Sequence, residues 1–368
     1  MDESNHLVDL VQARIDEFLI TRELIVARIS PELTPLLAFS RQFLSGGKRF
    51  RALFCYRGWQ SVRGADFTMA TDALDLSPVV SAAAALELFH AAALVHDDII
   101  DNSDTRRGSA SAHKLFEELH GSLTWAGDPG DFGRASAILL GDLLLGWSDE
   151  LLDEGLSALP EQASGRRARL EFNLMRTEVT AGQYLDILEE RAWHTAPEEE
   201  LFDRAMRVIE YKSAKYSVLA PLVIGAALAG GSSSQLAALR DFGLPLGIAY
   251  QLRDDLLGVF GDAAVTGKPS GDDLREGKRT VLIALTREVL DDQSRRFLDD
   301  SLGDSTLNPE QIRMLQRSIV ESGAVERVEA LITEHLTRAL AILDTAPITT
   351  VAKLQLQTLA EKVARRVF

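Results

Sequence analysis

Residues 81–108, Ser-Ala-Ala-Ala-Ala-Leu-Glu-Leu-Phe-His-Ala-Ala-Ala-Leu-Val-His-Asp-Asp-Ile-Ile-Asp-Asn-Ser-Asp-Thr-Arg-Arg-Gly, constrain this chain more than any other stretch. The run before the acids is almost wholly apolar, which predicts a buried helix. At about 100° per residue, Asp97 and Asp101 lie roughly 40° apart on one face, and His90 falls on the same line two turns earlier. Asp98 points about 100° away from Asp97, so the triplet is a clamp with one flanking member. Two carboxylates a turn apart repel, and the C-terminal half of a helix disfavours negative charge. Unless a cation sits between them, the arrangement is destabilising. A hard divalent ion such as Mg²⁺ takes one or two carboxylates and leaves its other positions to water and phosphate oxygens, which is what this spacing offers. A solvated acidic helix end is the alternative, and the apolar run in front of it argues for burial.

With 368 residues the chain is long enough for one large core or two ordinary domains. Composition chooses between them. Hydrophobic residues make up 46%, Ala and Leu dominate, and β-branched runs with period two are scarce, so helix is expected nearly everywhere. No linker, charge block or repeat divides the chain, and the expectation is a single all-α domain over 1–368. A net charge of −16 argues against nucleic acid and polybasic membrane surfaces. Any basic cluster is then more informative. The single Cys55 excludes an internal disulfide and, in its apolar neighbourhood, reads as a core thiol. Met-Asp-Glu-Ser-Asn-His lacks a basic and then apolar leader, and the apolar runs 82–95 and 218–231 are short for a bilayer. A cytoplasmic protein without a stable membrane anchor is expected.

Along the chain, residues 6–29 form an amphipathic helix, with Leu7, Leu10, Val11, Ile15, Phe18 and Leu19 at helical spacing, that packs on the bundle or on a second subunit. After Pro31 and Pro35 a helix leads into Ser45-Gly46-Gly47-Lys48-Arg49-Phe50-Arg51, where paired glycines let backbone approach a ligand beside three cations. A diphosphate cradle and a helix end with ordinary surface cations both fit this stretch. Beyond the central helix, Arg106 and Arg107 stand within reach of the acids. Their forks match phosphate oxygens, or they neutralise Asp101 and Asp104. Residues 121–133 are Gly-rich and read as a surface loop. Helices follow at 135–152, at 166–190 with an interruption at Gly182-Gln183, and at 201–219, which carries Lys212. Taken alone, Lys212 reads as a snorkelling surface lysine.

A second acidic helix end changes the weighing. Residues 242–260 read as an apolar helix reaching Asp254-Asp255, with Gln251 one turn before them and a basic, glycine-containing loop through Gly267-Lys268 after them. Two apolar helices that each end in paired Asp, followed by cations, are an improbable pattern for a structural bundle. Facing one another, they would bind several divalent ions with a diphosphate between them.

In this order of motifs the chain resembles the trans-isoprenyl diphosphate synthases, or polyprenyl synthetases. The likeness rests on Gly46-Gly47-Lys48-Arg49, Glu87 and His90 before Asp97-Asp98-x-x-Asp101, Arg106-Arg107-Gly108, Gly141-Asp142, Gly182-Gln183 with Asp186, Lys212, Gln251 before Asp254-Asp255, and Gly267-Lys268. It covers about residues 40–285 in ordered motifs and is looser beyond them. The resemblance implies a helical bundle around a central cavity, a homodimer, and Mg²⁺-dependent condensation of isopentenyl diphosphate with an allylic diphosphate. It implies three Mg²⁺ ions, two on Asp97 and Asp101 and one on Asp254, with Asp98 and Asp255 orienting metal-bound water. Arg106, Lys212 and Lys268, with Gln251 nearby, would grip the allylic diphosphate. Lys48, Arg51, His90 and Arg107 would hold isopentenyl diphosphate. The residues four and five before Asp97 are Ala93 and Ala92, where the fifteen-carbon members carry aromatics. Phe89 is then the first bulky candidate for a floor, which makes geranylgeranyl diphosphate the expected product; read instead as a plain core phenylalanine, it leaves longer products open. The chain departs from the family at Gly258, where many members have a third Asp, and Asp262 is the acid expected to compensate.

Other readings stay in view. Farnesyl or longer-chain synthases share every motif. A class I terpene cyclase shares the metal clamp but has no use for Lys48, Arg51, His90 and Arg107. A noncatalytic partner subunit has no reason to keep mutually repelling carboxylates.

Overall fold

The computed structural model describes residues 3–64, 75–106, 108–261 and 270–364. It is helical almost throughout, as composition predicts. α1 (Glu3–Ile29), α2 (Thr34–Phe43), α3 (Phe50–Arg63) and α4 (Ser77–Ile100) come first. A short antiparallel ladder follows, β1 (Thr105–Arg106) against β2 (Ser109–Ala110), with Arg106 opposite Ser109. Next come α5 (Ala112–Ser122), α6 (Pro129–Ser157), α7 (Gln162–Ala192) and α8 (Leu201–Val208). A π-helix (Ile209–Leu219) runs directly into α9 (Ala220–Leu228). α10 (Ser233–Phe260), α11 (Asp272–Glu276), α12 (Val281–Val289), α13 (Asp292–Ser301), α14 (Pro309–Glu321), α15 (Ala324–Thr345) and α16 (Thr350–Ala364) complete the chain. These elements group into two compact units, Met1–Arg169 with Ile224–Gly231, and Leu170–Val223 with Ser232–Phe368.

The first unit is built around α4. From Pro78 to Phe89 every residue of this helix is buried, which explains why its sequence is apolar on all sides. The helix is longer than the apolar run 82–95. Among the described residues it is the one helix long and apolar enough to cross a membrane, yet 83% of its most apolar window is buried in protein, so it serves as a core helix. Glycines on α6 let the two helices approach closely. A Cβ at Gly155 would come within 2.7 Å of Ser81, and one at Gly141 within 2.3 Å of the His96 ring. Between these points Ser148 Oγ donates to the Ala85 carbonyl at 2.7 Å. A cavity of about 360 Å³ lined by Arg14, Phe18, Thr21, Ser81 and Glu154 lies in this unit and touches none of the acidic clamp.

Two expectations are corrected here. The Gly-rich stretch 121–133 is not one loop, because α6 already begins at Pro129. Asp128 caps it by accepting from Asp131 N at 2.8 Å, and proline suits the first helical turn. Gly133 is small for a packing reason: a Cβ there would lie 2.4 Å from the His113 carbonyl oxygen. Nor is α7 interrupted at Gly182, since it is continuous from Gln162 to Ala192.

The second unit packs α10 against the π-helix, α12, α14 and α15 through Leu252, Leu256, Leu282, Ile312, Leu315 and Val328. A reciprocal capping box starts α10: Gln235 N donates to Ser232 Oγ at 3.2 Å, and Ser232 N to Gln235 Oε1 at 2.9 Å. Its other end is anchored by Arg253, which forks onto Glu329 of α15 at 2.5 and 2.6 Å and donates to the Ala364 carbonyl at 3.1 Å. The glycines of this unit admit backbone as well. A Cβ at Gly182 of α7 would lie 2.3 Å from Lys212 N, and one at Gly247 of α10 2.5 Å from the Ala214 carbonyl oxygen. The π-helix is therefore held on two sides at backbone contact. Helices with this wider turn are rare and concentrate at functional sites.

Candidate active site

In the first unit, α4 delivers its acids at its very end. Asp101 is the C-cap residue, and its N–H donates to the Asp97 carbonyl at 2.8 Å. Asn102 turns the chain in the left-handed conformation at φ +53°, and Ser103 N donates to the Asp98 carbonyl at 2.9 Å. The ladder then brings Arg106 back over the helix end. Ser111 fastens its return by donating to the Asp104 carbonyl from N at 3.0 Å and from Oγ at 3.1 Å.

Arg106 meets both neighbouring acids. Its Nε donates to Asp98 Oδ1 at 2.8 Å and its Nη2 to Asp97 Oδ2 at 3.4 Å, with a second, shorter contact from Nη2 to Asp98. The Asp98 side chain is only 1% exposed, against 17% for Asp97. The three acids thus divide as helix geometry predicts: Asp97 and Asp101 share a face, while Asp98 is turned into the protein and holds Arg106. His90 is half-buried, Lys48 is exposed and Arg51 is half-buried. Arg107 lies outside the described residues.

In the second unit, Asp254 is exposed and Asp255 is buried. Gln251 Nε2 donates to Asp255 Oδ1 at 2.7 Å. Burial pushes the Asp255 carboxyl well above the usual range; the Gln251 hydrogen bond works against that, and the nearby carboxylates of Asp273, Asp254 and Asp186 add to it. Lys212 pairs with Asp186 and its side chain is 19% exposed, so it is drawn inward instead of snorkelling out. One turn on, Lys215 donates to Glu178 Oε1 at 2.9 Å and lies 4.0 Å from the centre of the Tyr211 ring. Lys268, with Gly267 and Asp262, lies outside the described residues.

Asp273 was not singled out from the sequence. Its carboxylate stands where a side chain at position 258 would project, because a Cβ on Gly258 would lie 1.9 Å from Asp273 Oδ2. The Gly271-Asp272-Asp273 run is visible in the sequence, but only the tertiary packing aims it at Gly258.

This donor set fits magnesium. It is all carboxylate oxygen, and in the second unit burial, with the carboxylates of Asp273, Asp254 and Asp186 adding to it, raises the Asp255 pKa, a condition a hard divalent cation relieves. Among the described residues no three His, Cys, Asp or Glu side chains close a cage by themselves.

An all-α protein with two acidic helix ends, Asp97-Asp98 beneath Arg106 and Asp254-Asp255 beside Gln251, defines a class of diphosphate-handling helical proteins. The sequence profile of the family described as Polyprenyl synthetase matches residues 34–319, and the chain belongs to that family. A short chain isoprenyl diphosphate synthase of Methanothermobacter thermautotrophicus is 31% identical over 318 residues, 85% of each chain. The geranylgeranyl diphosphate synthase of Sulfolobus acidocaldarius is 30% identical over 301 residues, covering 81% of this chain and 80% of that one. The crystal structure of geranylgeranyl pyrophosphate synthase from Corynebacterium glutamicum, complexed with isoprenyl diphosphate and magnesium, superposes over 100% of both chains with a TM-score of 0.92 at 39% identity. The protein is accordingly a prenyl diphosphate synthase, a prenyltransferase with the isoprenoid synthase fold.

Proposed function

We propose that the chain condenses isopentenyl diphosphate with an allylic diphosphate to give all-trans geranylgeranyl diphosphate, and that residues 1–368 work as one catalytic domain. The observation that carries this reading is the end of α4, where Asp97 and Asp101 share a face beneath an arginine that Asp98 holds in place. The family match from 34 to 319 draws on both compact units, which supports the single domain. Relatives named as geranylgeranyl diphosphate synthases support the twenty-carbon product, as do the small Ala92 and Ala93 above the clamp.

On this reading Asp97, Asp101 and Asp254 hold Mg²⁺, with Asp98 and Asp255 behind them. Bound there, the metal supplies positive charge to the leaving diphosphate. Arg106, Lys212 and Lys268 donate hydrogen bonds to that diphosphate, with Gln251 beside them, and stabilise the charge that develops as the allylic carbon–oxygen bond breaks with its electron pair. Lys48, Arg51, His90 and Arg107 hold isopentenyl diphosphate so that its double bond forms the new carbon–carbon bond. The proton then lost passes to the released diphosphate. No protein nucleophile takes part, in keeping with Cys55, a buried thiol whose pKa burial pushes up to about 12.

The reading includes a homodimer in the cytoplasm. On α6, Ile138 and Leu139 are exposed by 45% and 64%, and on α7 Leu170, Leu174 and Tyr184 are exposed too, which is apolar surface for a second copy to cover. The free Cys55 fits a reducing compartment.

The test is to incubate purified protein and Mg²⁺ with isopentenyl diphosphate and, separately, the five-, ten- and fifteen-carbon allylic diphosphates, and to size the products. A twenty-carbon product is expected, and Asp97→Asn or Asp101→Asn should lower kcat by about a hundredfold or more. Longer products would remove the length assignment and leave the reaction. If isopentenyl diphosphate is never consumed, the proposed reaction is wrong. Light scattering of the same sample reads the dimer.

A further inference from the structure

We propose that Arg49 and Glu87 form a positioning pair that sets the isopentenyl diphosphate loop on α4. The inference rests on the reading of Lys48 and Arg51 as ligands of that substrate. It starts from an irregularity of the backbone. Gly46 and Gly47 adopt φ of +67° and +88°, and Arg49, which is not glycine, adopts +49°. A long side chain in the left-handed region is strained, and it persists only where its surroundings over-determine it.

The surroundings do so here. The Arg49 side chain is 4% exposed, and Nη1 donates to Glu87 Oε2 at 3.1 Å. Nη2 donates to Gln12 Oε1 of α1 at 2.6 Å and also contacts the Leu44 carbonyl at the end of α2. The Glu87 side chain is 5% exposed, and its other oxygen accepts from Ala52 N at 3.3 Å. Arg49 is the N-cap residue of α3, so Glu87 caps the third backbone N–H of that helix from a neighbouring one. A negative charge suits that end of the helix dipole.

The pair is a poor device for stability alone. A buried ion pair is often matched by well-packed apolar side chains, and Arg49 Nε is buried without a hydrogen-bond partner. What it does provide is geometry. With Arg49 pinned inward, Lys48 is left exposed and Arg51 lies on the first turn of α3. Glu87 sits one turn before His90 and ten residues before Asp97 on the same helix, so one pair ties the basic loop to the helix that carries the acidic clamp. Arg49 and Glu87 touch neither substrate; they fix the height at which Lys48 and Arg51 stand.

The decisive variant is R49M/E87M, which removes both buried charges at similar volume. Its unfolding midpoint is expected near that of the unaltered protein, while KM for isopentenyl diphosphate rises by about tenfold or more and KM for the allylic diphosphate stays within about twofold. A double variant with unchanged KM for isopentenyl diphosphate, or with both KM values raised alike, overturns the proposal. Should that variant not fold, R49K decides the question. It keeps the charge but cannot reach Glu87, Gln12 and Leu44 together, so the same split in KM is expected, and its absence overturns the proposal. Lys48→Ala separates the two readings. If it leaves KM for isopentenyl diphosphate unchanged, the assignment of Lys48 to that substrate fails, whatever the pair does.

Discussion

The carboxylate of Asp273 occupies the space that a side chain at Gly258 would need, with Oδ2 1.9 Å and Cγ 2.4 Å from a Cβ built there. Position 258 is where the family resemblance leads one to expect the last acid of the second motif, and here a residue of α11 brings a carboxylate to that place from the next helix. Gly258→Asp should therefore harm the protein instead of improving it, by about 1–3 kcal/mol of overpacking in urea unfolding. Asp273→Asn should raise the Mg²⁺ concentration needed for half-maximal activity. The double change G258D/D273G should recover much of that loss. Mg²⁺ titrations of activity on the three variants check the set, and a wild-type titration for Asp273→Asn would refute it.

Gly182 should be equally intolerant, for a different reason. Its neighbour is backbone, Lys212 N at 2.3 Å and Tyr211 C at 2.5 Å from a built Cβ, and backbone in a packed helix cannot step aside. Gly182→Ala is expected to lose about 1–3 kcal/mol and to displace Lys212 from Asp186, so kcat should fall further than stability does. Chemical denaturation and initial rates on one preparation separate the two effects.

Product length offers a comparison between two residues of α4. Phe89 lies roughly 80° from Asp97 but only about 20° from His96, whose ring packs on Gly141 of α6, so the phenylalanine is turned toward that helix. Leu86 lies roughly 20° from Asp97 and is fully buried. On these angles Leu86, rather than Phe89, is the residue expected to limit chain length. Leu86→Ala should lengthen the products, whereas Phe89→Ala should lower stability by about 3–5 kcal/mol with little change in length. Chromatography of the dephosphorylated products decides between them.

The thiol of Cys55 gives a simple probe of the native core. With a pKa of about 12, raised by burial, the neutral form dominates, and at pH 8 only roughly one thiol in ten thousand is ionised. Iodoacetamide at pH 8 should leave the folded protein unlabelled and label one site after denaturation. Rapid labelling of the native protein would contradict the burial described.

Much of this was legible in the chain, because periodicity and local chemistry carry it. The apolar sweep of α4, the turn between Asp97 and Asp101, the repetition of that scheme at Asp254, and the glycine-rich loop before α3 all speak through neighbours in sequence. What escaped depends on partners far away. Gly133 and Gly182 look like helix breakers until the backbone packed against them is seen. The sequence sets Asp98 apart from Asp97 and Asp101, but only the fold shows Arg106 resting on it. Lys212 looks exposed until Asp186 is placed beside it, and nothing local distinguishes Asp273 from any other acid in a loop.

The π-helix at Ile209–Leu219 carries a consequence for how this segment can change over time. Each of its turns holds one residue more than an α-turn, and one residue of phase is worth about 100° of rotation. Relaxing the segment to α geometry at its present length would swing everything downstream by about that angle, taking Ala214 off Gly247. Loss of one residue would instead restore α geometry with the flanking helices nearly in phase. A relative with a one-residue gap at 209–219 should therefore carry an ordinary α-helix there, its downstream residues still on the same face.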